Sequence, residues 1–124
     1  MKLKNIVLVV KNVEASYKFY HELFGLQKTL DNDGNMMLTE GIVLQEKNIW
    51  EESLNQKVAP HNNSFELYFE TNNLDDFVEK LEEVHPNVHF ATPITKNSWD
   101  RKIIRFYDLD GHLIEVAATN SNLN

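Results

Sequence analysis

Two glutamates lie in apolar surroundings in the sequence, where a carboxylate needs an explanation. Glu115 interrupts the apolar run 113–118, and Glu66 lies within the strand-like segment SFELYF. A carboxylate that is buried without a partner costs several kcal/mol. Each glutamate should therefore be paired with a cation, bound to a metal, turned towards a wet cavity or placed on an exposed strand face. These four alternatives lead to different functions.

The same order of secondary-structure elements occurs twice along the chain. NIVLVV is typical of a buried strand, and the helical pattern after it begins at Asn12 and closes at Gly25. Three strand-like pieces come next, with a turn at Asp33-Gly34. In the second half, FELYFE precedes a helix over NNLDDFVEKLEEV and the strands VHFATPI, KIIRFYD and HLIEV. The sequence therefore predicts an α+β fold built from two tandem βαβββ modules.

We predict one domain over residues 1–124, because a chain of this length forms a single core. It divides into module 1 (about 1–47), a polar connector (about 48–64), module 2 (about 65–118) and a short tail (119–124). Trp50 and Leu54 are expected to tether the connector by packing, and a short helix there is compatible with its sequence.

The repeat assigns a counterpart to each glutamate. The two helix starts lie 61 residues apart, and the same offset aligns Asn5 with Glu66. Gln45 and Glu115 each follow a glycine by four residues, which aligns them as well. If the first and last strands of both modules line one cavity, these four acceptor-bearing side chains converge there.

Charge and composition narrow the classes of partner. The formal net charge is -7, with 19 acidic and 12 basic residues and no long basic run, so nucleic acid and anionic membrane surfaces are poor partners. The absence of cysteine excludes disulfides, thiolate metal sites and cysteine nucleophiles. The apolar stretch near the N-terminus is about five residues long, too short for a signal-peptide core or a membrane span. We therefore expect a cytoplasmic protein.

The sequence resembles the vicinal oxygen chelate superfamily, which includes glyoxalases, bleomycin-resistance proteins and extradiol dioxygenases. The resemblance covers nearly the whole chain and rests on VVKNVEASYKFYHELFGL, LYFETNNLDDFVEKL and SWDRKIIRFYDLDGHLIEV. The last segment is the most specific, because an aspartate-x-aspartate-glycine turn with a glutamate four residues on is the usual ending of this superfamily. The resemblance implies modules whose strands curl into an open, incomplete barrel around a pocket. It also implies a homodimer, in which some members build the pocket from both chains.

The resemblance further implies where a metal would be held. Metal-dependent members place ligands on the first and last strand of each module, which here are Asn5, Gln45, Glu66 and Glu115. Positions 5 and 66 often hold histidine in the superfamily, but none of the five histidines of this chain falls on a ligand position. An iron dioxygenase needs two histidines and a carboxylate, so extradiol chemistry is disfavoured. The cofactor expected is one divalent ion (manganese, nickel, zinc or magnesium) or none; an all-oxygen ligand set suits manganese, magnesium or calcium better than zinc or nickel.

Four further side chains are candidate substrate-binding residues: Tyr68, Trp99, Arg105 and Tyr107. Trp99 lies in a polar loop, where it either stacks on a ligand or caps the open edge of the module. Arg105 alternates with Tyr107 along one strand, so both are expected on the same face. Arg105 either binds an anionic group of a substrate or neutralises a glutamate, whereas Arg101 is interpreted as a solvated charge.

The first of two functional hypotheses is a glyoxalase-like lyase or isomerase acting on a small oxygen-chelating substrate. Glu66 and Glu115 would hold a divalent cation together with Gln45 or Asn5, and one glutamate would serve as base. Without a metal the two carboxylates would repel each other, which would raise the pKa of one and make an acid-base pair.

The second hypothesis is a metal-free homodimer that sequesters a small molecule, as bleomycin-resistance proteins do. The acidic net charge favours a cationic guest, on which Trp99, Tyr107 and Tyr68 would stack.

Overall fold

Each half of the chain folds into a four-stranded sheet with a helix after its first strand. In the computed structural model, which describes residues 1–96 and 100–119, contacts divide the chain into two units, Met1–Pro60 and His61–Asn124. The predicted α+β fold of two βαβββ modules is confirmed in the order of the elements. No helix in the described ranges has the length and apolar character needed to cross a membrane.

The first unit contains β1 (Ile6–Val10), α1 (Val13–Phe24), β2 (Lys28–Asn32), β3 (Asn35–Leu38), β4 (Ile42–Glu46) and α2 (Lys47–Leu54). The sheet order is β1-β4-β3-β2, with β1 parallel to β4 and the other pairs antiparallel. As predicted, α1 begins at Asn12, whose side chain accepts a hydrogen bond from the Ala15 amide at 2.9 Å. It ends at Gly25 in the left-handed conformation that glycine adopts without strain.

The connector contains the short helix α2, but Leu54 does not tether it. Leu54 is 54% exposed, so the expectation that it packs was wrong. Glu51 provides the observed fixation instead, because its carboxylate accepts a hydrogen bond of 2.8 Å from the Val58 amide. A polar contact to the backbone therefore holds the chain that follows α2.

The second unit contains β5 (Glu66–Thr71), α3 (Leu74–Val84), β6 (Phe90–Lys96), β7 (Lys102–Tyr107) and β8 (Leu113–Ala118). The sheet order is β5-β8-β7-β6, with β5 parallel to β8. Helix α3 begins at Asn73, which caps it through the Asp76 amide at 3.0 Å. The ring of Phe77 on α3 contacts that of Phe106 on β7, with centroids 6.1 Å apart. The sheet face that carries Phe106 is therefore covered by α3.

The turn between β7 and β8 is built around Asp108. Its buried carboxylate accepts hydrogen bonds from the backbone amides of Asp110 and His112, both at 2.9 Å, and lies 2.8 Å from Nδ1 of His112. Burial lowers the pKa of His112, but the hydrogen bond and negative charge of Asp108 outweigh this effect and raise it above its ordinary value. The turn therefore favours the charged imidazole.

We expect this turn to make stability depend on pH. Because the pKa of His112 is raised on folding, the stabilisation is fully present below the pKa of the unfolded chain and is lost as pH rises through the folded value. His112→Gln should reduce the free energy of unfolding by about 1 kcal/mol in mildly acidic buffer and by less in alkaline buffer. Urea denaturation at several pH values measures both, with His85→Gln as the control. A loss that is independent of pH would contradict the charged pair.

Candidate functional site

The ladders of the second sheet place five of the predicted site residues on one face. Glu115 on β8 pairs with Tyr68 on β5 and with Arg105 on β7. Glu66 and Tyr107 lie two positions away along β5 and β7, so the alternation of a strand turns them to the same side. We call this surface the polar face, made up of Glu66, Tyr68, Arg105, Tyr107 and Glu115. It is the face opposite to α3.

An ion pair explains why Glu115 can lie inside an apolar strand. The Nε–H of Arg105 donates a hydrogen bond of 2.9 Å to Oε1 of Glu115, whose side chain is only 6% exposed. A buried carboxylate is tolerated when a charged donor satisfies it. Of the two roles considered for Arg105, the structure shows the neutralisation of a glutamate.

Glu66 is the second carboxyl group of the polar face, and its pKa is raised above the ordinary value. It lies at the start of β5 with its side chain exposed in part to solvent. Burial of its carboxyl raises the pKa, and the negative charge of Glu115 and a hydrogen bond between the two groups raise it further. Arg105 opposes these effects but does not cancel them. Glu66 is thus a partly exposed carboxyl group with a raised pKa beside an ion-paired carboxylate.

A second cluster continues the polar face along β5. Tyr68 is 43% exposed, and its hydroxyl donates a hydrogen bond of 3.2 Å to Glu70. Arg101 bonds to both residues through one guanidinium nitrogen. The interpretation of Arg101 as a solvated charge was therefore wrong. Glu70 was missed, although the alternation of Glu66, Tyr68 and Glu70 along β5 was a signal that could have found it.

Tyr107 is held by the segment that precedes β5. Its hydroxyl donates a hydrogen bond of 2.7 Å to Asn63, and its ring lies near those of His61 and His89, at centroid distances of 5.6 and 5.1 Å. The ring is therefore fixed in position at one end of the polar face. Trp99 lies outside the described residues, so its proposed stacking stays a prediction.

Asn5 and Gln45 belong to the first unit and are both partly exposed. Asn5 lies immediately before β1, and Gln45 lies on β4 opposite Val9 and Asn35. The predicted four-residue ligand set is therefore divided between the two units. Its convergence on one cavity stays a prediction.

The alignment of Gln45 with Glu115 was wrong by two residues. Glu115 pairs with Tyr68, and the β1 residue 61 positions before Tyr68 is Val7, which pairs with Val43. Val43 is thus the counterpart of Glu115. The error arose because Gly41 lies two residues before the β4 residue that pairs with Val7, whereas Gly111 lies four residues before the β8 residue that pairs with Tyr68. Equal spacing from a glycine therefore did not give equal positions in the sheets.

The polar face does not have the composition of a metal centre. Within residues 1–96 and 100–119, no group of three or more histidines, aspartates and glutamates is arranged to hold a metal ion. Arg105 bonds to the carboxylate of Glu115, which a metal ion would need as a ligand, and the positive charge of Arg105 repels a metal ion. These residues therefore do not fit a divalent ion.

Comparison with known proteins identifies the family of the chain. The model of the glyoxalase-like domain matches residues 3–121. The chain belongs to the glyoxalase-like family. A search of curated proteins found no match to this glyoxalase-like chain.

Solved structures share the fold of this family member at low sequence identity. A protein of unknown function from Agrobacterium tumefaciens is 25% identical, with a TM-score of 0.80 over 96% of this chain and 94% of that one. A glyoxalase-related enzyme from Fulvimarina pelagi is 22% identical, with a TM-score of 0.77 and coverages of 95% and 88%. A fosfomycin resistance protein from Listeria monocytogenes is 18% identical, with a TM-score of 0.75 and coverages of 98% and 96%. At these identities the likeness shows the fold, not the activity.

We expect Arg105→Gln to destabilise the protein through Glu115. The substitution leaves a carboxylate in a buried position without its cation, which should reduce the free energy of unfolding by about 2 kcal/mol, less than for a fully buried pair because Arg105 is partly exposed. Urea denaturation measures the loss.

A double substitution distinguishes the contribution of the ion pair to stability from that of side-chain packing. Arg105→Met combined with Glu115→Leu removes both charges and should recover most of the stability lost in Arg105→Gln. If Arg105→Gln and the double variant lose the same free energy of unfolding, Arg105 does not stabilise the protein by neutralising Glu115.

The raised pKa of Glu66 should depend on Glu115. Glu115→Gln removes a negative charge beside Glu66 and should lower its pKa towards the ordinary glutamate value. Carbon-13 NMR of the side-chain carboxyl signals across an acid titration measures the midpoint. Glu70→Gln is the matched control, since Glu70 lies on the same strand face but is not a cause of the shift. An unchanged midpoint in Glu115→Gln would show that the two carboxyl groups do not interact.

Proposed function

We propose that the protein is a glyoxalase-like lyase or isomerase that moves a proton of a small, oxygen-bearing substrate on the polar face. The observation that carries the proposal is the carboxyl pair, in which Glu66 has a raised pKa beside the Glu115–Arg105 ion pair. A carboxyl group whose pKa is raised beside a second, ion-paired carboxylate is an arrangement suited to acid-base chemistry. Glu66 is the acid-base group. Glu115 and Arg105 lie beside it, where the charge of Glu115 raises its pKa and the charge of Arg105 lowers it.

The step that this arrangement supports is proton abstraction next to a carbonyl group. Ionised Glu66 takes the proton, the electrons of the C–H bond form a carbon-carbon double bond, and the carbonyl oxygen becomes an enediolate oxygen. When the carbon that loses the proton carries a hydroxyl group, return of the proton to the former carbonyl carbon, with transfer of the hydroxyl proton to the former carbonyl oxygen, completes an isomerisation in which nothing is consumed. A raised pKa helps, because a base works best when its pKa lies close to the working pH.

Arg105 supplies the positive charge that the developing oxygen anion needs. Its Nε–H is engaged by Glu115, and an arginine carries five N–H donors in all. The guanidinium is partly exposed beside Glu115, so its other donors are available to a substrate oxygen. The proposed step therefore does not need a divalent ion (manganese, nickel, zinc or magnesium). The exchange assay described below tests whether the activity depends on one.

The charge of the polar face favours a neutral substrate. Glu70 and Glu115 are each bound to an arginine, so when Glu66 is ionised as the base it is the one carboxylate of these three whose charge is not offset by an ion pair. A face that is close to neutral holds an uncharged polar molecule better than a strongly cationic one. This argument places the isomerase ahead of the sequestering alternative.

A cationic guest remains the second candidate function. The exposed ring of Tyr68 lies between Glu66 and Glu70 along β5, and the net charge of the chain is -7. An aromatic ring flanked by carboxyl groups attracts organic cations. In this alternative a homodimer would trap the guest without transforming it.

Hydrogen exchange into a small carbonyl compound tests the isomerase. In deuterated buffer containing a chelator, the wild-type protein should accelerate exchange at the carbon next to the carbonyl of hydroxyacetone, followed by proton NMR. The hemithioacetal of methylglyoxal and 2-mercaptoethanol is the second probe. Glu66→Gln should reduce the rate by about 100-fold or more, because an amide cannot act as base. Glu70→Gln should retain it.

Three results would overturn the proposal. A Glu66→Gln variant as active as wild type would remove the assigned base. Exchange that appears only after addition of manganese or nickel would favour the metal-dependent hypothesis. No exchange with either probe, combined with thermal stabilisation by an aromatic ammonium compound, would favour sequestration.

A further inference from the structure

A segment without helix or strand, residues 61–65, leads directly into Glu66. We call this segment the strap. Glu66 is the first residue of β5, and its pairing with Leu113 is the first pair of the β5–β8 ladder. The ladder therefore holds the chain after Glu66 but not the chain before it. On that side, the position of Glu66 depends on the contacts that the strap makes.

The hydroxyl of Tyr107 ties the strap to the sheet. It donates a hydrogen bond of 2.7 Å to Oδ1 of Asn63. The backbone of Tyr107 is held on both sides, because it lies opposite Leu113 of β8 and its amide donates to the carbonyl of His89 at 3.0 Å. Asn63 lies in no strand. The hydrogen bond therefore restrains the backbone of the strap more than that of the sheet.

Two ring contacts place the strap on the turn between β7 and β8. The ring of Phe65 lies near that of His112, with centroids 6.0 Å apart. The imidazole of His61 lies against Gly111, since a Cβ atom at position 111 would be 2.5 Å from it. All five residues of the strap are nevertheless exposed. A segment that buries little apolar surface gains little from packing, so its order depends strongly on hydrogen bonds such as that from Tyr107.

A turn inside the strap links Asn63 closely to Glu66. Oδ1 of Asn62 accepts hydrogen bonds from the amide and the hydroxyl of Ser64, at 3.0 and 2.7 Å. Asn63 between them has a φ of 55°, in the left-handed region that asparagine tolerates. Because this turn leaves little slack in the chain, a displacement of Asn63 is passed on to Glu66, three residues later.

Tyr107 and Glu66 lie in one row across the sheet, on either side of Leu113. Two strand spacings, about 10 Å, separate their backbones. The single hydroxyl proton of Tyr107 is donated to Asn63. Tyr107 therefore acts on Glu66 through the strap.

We propose that Tyr107 is a positioning residue, which fixes the place of Glu66 on the polar face through its hydrogen bond to Asn63. This inference rests on the proposed function, in which Glu66 is the base. Proton abstraction requires the base to lie within hydrogen-bonding reach of the proton, and a misplacement of about 1 Å can cost about 100-fold in rate. The role differs from the substrate-binding role that the sequence predicts for Tyr107.

Two substitutions break the bond from opposite sides. Tyr107→Phe keeps the ring contacts with His61 and His89 and should reduce kcat for exchange into hydroxyacetone about tenfold, with KM nearly unchanged because Arg105 still binds the substrate. Asn63→Gly removes the acceptor without straining the left-handed backbone and should cause the same loss. The double variant should lose no more than either single variant, because all three lack the same bond.

Matched controls separate this effect from a general loss of a hydroxyl or an amide. Tyr17→Phe alters a tyrosine of α1, and Asn55→Gly alters an asparagine with a φ of 57° in the first unit. Both should keep the rate of the wild type. Asn63→Asp keeps an acceptor for Tyr107 and should also retain kcat.

The Asn63 variant also distinguishes positioning from direct contact of Tyr107 with the substrate. If the hydroxyl bound the substrate, Asn63→Gly would free it and leave kcat unchanged or higher, and the proposal would be wrong. Losses in Tyr107→Phe and Asn63→Gly that add up in the double variant would also overturn it, because the two residues would then act independently.

The pKa of Glu66 is a readout that a purely structural role of Tyr107 would not move. Burial and the charge of Glu115 raise this pKa. A Glu66 side chain that leaves these surroundings should titrate closer to the ordinary glutamate value. In Tyr107→Phe and Asn63→Gly, the carbon-13 NMR midpoint of Glu66 and the acid limb of the kcat profile should therefore both move to lower pH. The added charge of Asn63→Asp acts in the opposite direction.

The NMR titration needs no substrate, which keeps this inference separate from the proposed function. A lower midpoint in Tyr107→Phe, in a protein that catalyses no exchange, would support the control of Glu66 by Tyr107 while the isomerase proposal fails. Exchange that proceeds in Tyr107→Phe and Asn63→Gly as fast as in wild type, with an unchanged midpoint, would support the isomerase and overturn the positioning role.

Discussion

The polar face of the second unit depends on one ion pair. Arg105 allows Glu115 to lie in the middle of a strand whose neighbouring side chains are apolar. The charge of Glu115 then helps to raise the pKa of Glu66, and the guanidinium limits how far that rise goes. One hydrogen-bonded pair thus sets both the local stability and the protonation of the neighbouring carboxyl group, so its loss would affect folding and chemistry together.

The two units have the same strand arrangement but differ in which of them carries charged residues on the sheet. The ladders match Tyr68, Glu115 and Arg105 of the second unit with apolar residues of the first, which are Val7, Val43 and Met37. The backbone arrangement is the same, but only the second unit carries charge at these positions. The sheet therefore does not require the ion pair, and its presence in one copy is a specialisation.

The elements were predictable because their signals are local. Both helix starts were found from an asparagine cap, and the strands were found from short apolar runs between turns. Glu115 was found because a carboxylate in an apolar strand is rare, but its pairing with Arg105 depends on the β7–β8 register, which the sequence left undecided. Arg101 was misjudged for the same kind of reason, since its partner Glu70 is 31 residues away. The hydroxyl of Thr92 is buried without a hydrogen-bond partner, which no local pattern in the sequence indicates.

The topology of the second sheet has a consequence for the order of folding. Arg105 and Glu115 are ten residues apart on a hairpin, so their contact closes a short loop. Glu66 joins them only through the parallel pairing of β5 with β8, which brings together distant parts of the chain. Contacts of low sequence separation generally form faster than distant ones. We therefore expect the Arg105–Glu115 ion pair to form before Glu66 meets Glu115 on the folding pathway. The pKa of Glu66 is then raised only when β5 docks against β8.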